Sequence, residues 1–99
     1  MPAKQPAVYI LSNRPGGVLY IGVTSDLVKR IWQHRSDVVE GFSRRYRLHL
    51  LVYFEQFESM VEAIAREKEL KKWRRDWKVG LIEKANPEWR DLWPDLVEG

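Results

Sequence analysis

Ala7-Val8-Tyr9-Ile10-Leu11-Ser12, the turn Asn13-Arg14-Pro15-Gly16-Gly17, then Val18-Leu19-Tyr20-Ile21-Gly22-Val23: this stretch decides the fold. Both apolar runs are rich in β-branched and aromatic residues, which suit a pleated, half-buried surface. The segment between them is dense in Asn, Pro and Gly, the residues that supply turn dihedrals. The pattern predicts a β-hairpin with strands over 7–12 and 18–23. On strand alternation Tyr9 shares a face with Leu11, and Tyr20 shares one with Val18 and Gly22. Whether both phenols emerge on one side depends on the pairing register, which the pattern leaves open.

Downstream, Thr24-Ser25-Asp26 supplies cap chemistry for a helix running to about Arg35. Its expected apolar arc is Leu27, Val28, Ile31 and Trp32. Residues 36–47 are irregular and basic, a loop or a short helix. Leu48 to Phe57 reads as a third strand, apolar enough to lie centrally in a sheet. Ser59 and Glu62 form a capping box that opens a helix to about Arg74. A further helix is expected over Trp77 to Ala85. Asn86-Pro87-Glu88 resembles an N-cap followed by proline at the first helical position, which predicts a short last turn through Trp93. The tryptophans at 73, 77, 89 and 93 are expected to hold the C-terminal helices down as a small core. The order is β-β-α-β-α-α, within one domain over 1–99 whose core spans about 7–93.

Composition narrows the function classes. Apolar residues at 44% and charged residues at 31% describe a folded globular chain, too apolar for a disordered one. No run approaches the ~20 apolar residues of a membrane span. The first residues lack an apolar signal-like stretch, so a cytoplasmic location is expected. With no cysteine, disulfides, zinc–thiolate sites and cysteine nucleophiles are excluded. Net charge is only +3, but it is uneven: residues 66–78 hold seven basic against three acidic side chains, and residues 29–47 hold six against two. Two basic stretches in a small domain point to a polyanion partner, although solvated helix faces give the same pattern.

Some polar residues sit against the apolar pattern. In the long helix, Met60, Val61, Ala63, Ile64 and Leu70 mark the expected buried arc, and Glu67 falls near its middle. An inward carboxylate is costly unless it is paired or binds a cation. Lys71 stands one turn on and offers an ion pair at the edge of the core. Arg30 and His34 are i,i+4 neighbours on the flank of the first helix. A guanidinium can hold a phosphate in a fork, and an imidazole beside it can exchange a proton near neutral pH. In the 36–47 segment Phe42, Arg44, Arg45 and Tyr46 interleave aromatic and basic groups, as suits stacking on unpaired bases. Taken singly, the tyrosines read as core, the Arg/His pair as surface and Asn86 as a helix cap.

In order, these signals carry a resemblance. Val8-Tyr9-Ile10, then eleven residues from tyrosine to tyrosine, then Tyr20-Ile21-Gly22 resembles the GIY-YIG nuclease signature. The likeness continues through Arg30 and His34, through Ala65-Arg66-Glu67-Lys68-Glu69-Leu70, and through Asn86. It is strongest to the short bacterial members of that family described as excinuclease-subunit-like. The first motif departs from it, with Ala7-Val8-Tyr9 where the family has Gly-Ile-Tyr. The resemblance implies an α+β fold with a three-stranded antiparallel sheet flanked by helices. It implies a divalent-metal-dependent endonuclease acting on DNA, with RNA left open as the polymer. Tyr9, Tyr20, Arg30 and His34 would be catalytic, and Glu67 would hold one Mg²⁺, with Mn²⁺ as substitute. Arg30 would bind the scissile phosphate. Tyr9 would be the general base, with its pKa lowered by metal and cations, and His34 the alternative base. Lys29, Phe42, Arg44, Arg45, Tyr46, Lys71 and Asn86 would bind nucleic acid or brace the site. With no second DNA-binding domain in the sequence, single-stranded or branched DNA is the favoured substrate. A non-cleaving nucleic-acid-binding module and a protein-interaction domain are the competing readings. Oligomeric state has no signature in the sequence.

Overall fold

Strand β1 (Ala7–Ser12) is buried along its whole length. It is the middle strand of a three-stranded sheet in the order β2-β1-β3, with β2 (Leu19–Thr24) and β3 (Leu50–Gln56) both antiparallel to it. A central strand covered on both faces has no wet side, which explains why its sequence lacks polar alternation. The structure is a computed structural model that describes residues 5–38 and 41–98, without the side chains of Phe42 and Ser43.

Helices cover both faces. On one, Val8, Ile10, Ile21 and Val52 pack with Ala63 and Leu70 of α3 (Met60–Lys72) and Ile82 of α4 (Arg75–Ala85). On the other, Ala7, Tyr9, Leu11 and Leu51 pack with Leu27 and Ile31 of α1 (Leu27–Arg35). Two short helices complete the chain, α2 (Phe42–Tyr46) and α5 (Trp93–Glu98). The class is α+β, as expected, with α2 formed as a helix and α5 added beyond the predicted order.

Helix starts follow their caps. Asp26 accepts from the Lys29 N–H at α1, and Ser59 accepts from the Glu62 N–H at α3 while its hydroxyl meets the Glu62 carboxylate. The helix faces differ from the wheel. Leu27, Ile31 and His34 are buried on α1, whereas Val28 and Trp32 face solvent. On α3 the buried residues are Ala63 and Leu70, and Val61 and Ile64 are exposed. Each helix presents a narrow stripe to a flat sheet face, so apolar residues at the edge of a wide arc are left outside.

The C-terminal part departs further. Asn86 is not an N-cap: it ends α4, and no helix starts at Pro87. Its side-chain amide donates to the Val52 and Arg90 carbonyls at 3.1 and 2.8 Å, and its Oδ1 accepts from the Arg90 N–H. Trp89 adopts φ 56°, which breaks any helix there. The tryptophans do not form one core. Trp89 is buried, Trp73 and Trp93 are half-buried, and Trp32 and Trp77 are exposed.

Candidate active site

Register decides where the phenols go. Tyr9 pairs with Gly22 and Leu11 with Tyr20. In an antiparallel pair, residues opposite each other share a face, so both tyrosines emerge on the α1 side. Their ring centroids are 6.3 Å apart. Gly22 makes this possible: a Cβ built there falls under 3.0 Å from the Tyr9 ring and hydroxyl. The glycine's role is therefore to let the phenol lie across β2. The spacing of the motif gave that glycine no such task.

His34 completes the group. It is only 1% exposed, although a surface position was one reading of it. Its position seven residues after Leu27 and three after Ile31 puts it on the buried stripe of α1. His34 Nε2 lies 2.9 Å from the Tyr9 hydroxyl, and its ring centroid is 5.5 Å from that of Tyr20.

The electrostatics extend the cluster. Burial pushes the Tyr9 phenol well above its ordinary value of 10; Tyr20 and Glu67 push it the same way, and Arg30 pulls it down. Groups from β2, α1 and α3 thus bear on one hydroxyl of β1. The expected lowering of Tyr9 by neighbouring cations is not what the protein's own groups produce, because desolvation outweighs Arg30. His34 is pushed down to about 4, first by burial, then by Arg30 and His49. It is therefore neutral at pH 7.

Arg30 and Lys29 project into an open polar hollow of about 190 Å³, lined also by Thr24, Ser25, Asp26 and Gln33. Positions 26, 29, 30 and 33 share one helical face, a spacing that could have singled out Asp26 and Gln33 beside Arg30. Glu67 has 14% of its side chain exposed, and Lys71 Nζ lies 2.9 Å from its Oε2. The ion pair and the approach to Tyr9 therefore coexist. As a donor set for a cation, Glu67 offers one partly open carboxylate, and among the described residues no group of three or more His, Asp or Glu stands together. A magnesium ion that keeps most of its waters needs one or two protein carboxylates, so the residues fit that ion.

Other predicted residues lie apart. Arg44, Arg45 and Tyr46 stand exposed on α2, with Arg45 over the Tyr46 ring at 5.7 Å. Arg44 acts on Asp37, just past the end of α1. The Phe42 side chain lies outside the described residues. Asn86 ties β3 to the 86–90 turn, and none of its hydrogen bonds goes to the Tyr9 cluster.

The GIY-YIG catalytic domain matches residues 5–80, a span that holds Tyr9, Tyr20, Arg30, His34 and Glu67. The chain belongs to the GIY-YIG family. Among relatives, a UPF0213 protein of Staphylococcus saprophyticus is 36% identical over 75 residues, covering 76% of this chain and 90% of the relative. A UPF0213 protein of Clostridium perfringens is 41% identical over 75 residues, covering 76% and 80%. The solution NMR structure of a UPF0213 protein from Bacillus halodurans superposes with a TM-score of 0.54 at 32% identity, covering 83% of this chain and 86% of that one. The GIY-YIG domain is of nuclease type, which implies nucleic-acid binding. Among the described residues no helix is long and apolar enough to cross a membrane.

Proposed function

We propose that this GIY-YIG protein is a divalent-metal-dependent endonuclease that hydrolyses a phosphodiester bond in DNA, with single-stranded or branched DNA preferred. The reading rests on one observation: the Tyr9 hydroxyl lies 2.9 Å from His34 Nε2 and its ring 6.3 Å from that of Tyr20, on the sheet face covered by the helix that carries Arg30 into an open polar hollow. A binding module has no need of that convergence.

Arg30 borders the hollow and binds the scissile phosphate there, neutralising charge as it builds in the transition state. Tyr9 and His34 act as a pair. Alone, Tyr9 holds its proton too tightly and His34 too weakly to serve as base at pH 7. Joined by a 2.9 Å hydrogen bond, Tyr9 takes a proton from the attacking water while passing its own to His34 Nε2. Tyr20 orients the water or the phosphate. Glu67 would hold Mg²⁺, or Mn²⁺ in its place, and the ion supplies Lewis-acid stabilisation of the leaving 3′-oxygen. Lys29, on the rim of the hollow, draws the polyanion in.

The test is a panel of end-labelled single-stranded, duplex and flap DNAs incubated with Mg²⁺, Mn²⁺ or EDTA. Wild-type protein should cut in either metal and stop in EDTA, with Glu67→Ala inactive throughout. Equal cleavage by Glu67→Ala would end the proposal.

A further inference from the structure

Beyond the site, the densest positive charge and the most exposed aromatic ring of the C-terminal half coincide. Trp77 is 56% exposed at the start of α4. Trp73, at the end of α3, is half-buried against the core and meets Trp77 edge-on, with centroids 6.0 Å apart and planes at 84°. Arg74 lies over the Trp77 ring at 5.7 Å and Arg66 over the Trp73 ring at 5.2 Å. Lys72 and Arg75 are exposed beside them. Trp77 still leaves more than half of its surface in water, and of the four cations only Arg66 and Arg74 have carboxylate partners among the described residues. Both features suit an anionic polymer with flat apolar rings.

The patch lies on the α3 and α4 face of the sheet, across from the α1 face that carries Tyr9 and Arg30, and Glu67 on α3 is the site residue that shares a helix with it. α3 starts four residues after the end of β3, at the end of the sheet where Ala7 pairs with Thr24 and Gln56. The opposite end is reached by Arg75, whose guanidinium donates to the Gly16 and Gly17 carbonyls of the β1–β2 turn at 2.9 and 2.7 Å. The helix therefore runs the length of the sheet. The Thr24–Gln33 hollow lies at one end, Glu67 partway along, and the tryptophans at the other. Glu67 and the end of α3 are separated by roughly 8 Å of helix rise, a distance of one or two nucleotides in an extended strand.

We infer that Trp77, supported by Trp73 and flanked by Lys72 and Arg75, is a stacking platform for an unpaired base of single-stranded DNA, on the face of the sheet across from Arg30 and joined to the site along α3 by Glu67. Base–indole stacking is tolerant of sequence, and the surrounding cations neutralise the backbone. The platform gives the catalytic domain its own grip on single strands, and the inference rests on the nuclease reading for its register with the site. Arg74 lies over the Trp77 ring and pairs with Asp76 at 2.6 Å.

The test separates platform from catalysis. Binding of a fluorescent 12-nucleotide oligo-dT is measured by anisotropy in EDTA with wild type, Trp77→Ala and Lys72→Glu. Cleavage is measured in parallel with Mg²⁺. Trp77→Ala should weaken binding about ten-fold, and Lys72→Glu should weaken it and flatten its salt dependence. Oligo-dT should quench tryptophan emission in wild type, both Trp77→Ala and Trp77→Phe should lose that quenching, and Trp77→Phe should keep more of the binding than Trp77→Ala. Wild-type affinity in Trp77→Ala, with its circular dichroism unchanged, would overturn the platform. A wild type that binds through Trp77 but cuts no DNA would leave the platform standing and remove the nuclease reading instead.

Discussion

Two clusters of the same chemistry lie on this molecule, and only one of them is open. In the first, the Tyr53 hydroxyl donates to Glu55, and Arg66 grips Glu55 with three hydrogen bonds of 3.0–3.3 Å while also reaching Glu69. Burial alone would raise the Glu55 pKa, but its bonds from Arg66 and Tyr53 outweigh this and hold it below the ordinary value. In the second, Tyr9 is likewise pushed up by burial, yet its acid, Glu67, bonds a lysine one turn away, and Arg30 lines an open polar hollow. The first cluster has spent its hydrogen bonds on itself. The second keeps Arg30 on the wall of an open hollow, and its carboxylate, Glu67, is held by a single half-exposed lysine rather than by an arginine. Tyrosine, acid and arginine therefore do not make a site; a site needs polar capacity left over.

The largest expected effects come from crossing the two acids. Glu67→Ala should lower cleavage by about 10²-fold or more, the scale for losing a transition-state charge stabiliser, with little change in melting temperature. Glu55→Ala should do the reverse, costing about 1–3 kcal/mol of stability by leaving Arg66 without its main partner, with cleavage per folded molecule retained. Melting curves and cleavage rates on both variants check the pair.

Gly22→Ala comes next. Its methyl collides with the Tyr9 ring, so the phenol must move off His34. A stability loss of about 1–3 kcal/mol, together with a large drop in cleavage, is expected. A crystal structure or the Tyr9 hydroxyl resonance would report the displacement.

The pH dependence sharpens the comparison further. His34 is pushed down to about 4 in the folded protein, from 6.5. Below 6.5 the unfolded chain binds the proton first, so this histidine's contribution is complete above pH 6.5 and is lost progressively as pH falls toward 4. The loss is on the order of 3 kcal/mol. Urea melts of wild type and His34→Gln between pH 4 and 7 should differ in slope across that window. Glu55, held below its ordinary value, loses its contribution at lower pH, as pH falls through its folded value. The smallest effect is that of Lys71→Ala. Its pair with Glu67 is half exposed on the lysine side, so stability should change by under about 0.5 kcal/mol, as read in the same melts.

The hairpin, the starts of α1 and α3 and the inward tilt of Glu67 were legible in the sequence because each has a local cause: turn residues, capping aspartate and serine, and helical spacing. The strand register was not, because alternation fixes which residues share a face on one strand but not how two strands align. Gly22 against Tyr9 is a fact about two strands. His34 lay at the edge of an arc whose apolar members suggested a wider buried stripe than the flat sheet accepts, so Trp32 and Val28 were assigned inside and the imidazole outside. The C-terminal turn misled for a related reason. Asn-Pro is good helix-start chemistry, but Asn86 spends its side chain on the Val52 carbonyl and on both backbone groups of Arg90. The upward push of burial on Tyr9 also escaped the sequence, since desolvation is set by packing that no spacing records.

The most direct test replaces one hydroxyl in each cluster. Tyr9→Phe and Tyr53→Phe remove the same atom from a buried and a half-buried phenol, and cleavage of an end-labelled single-stranded oligonucleotide in Mg²⁺ is followed for each at equal folded concentration. Tyr9→Phe should lose about two orders of magnitude or more, and Tyr53→Phe should cut at the wild-type rate. A Tyr9→Phe protein that cleaves as fast as wild type, or two variants that slow equally, would contradict the assignment of chemistry to the open cluster.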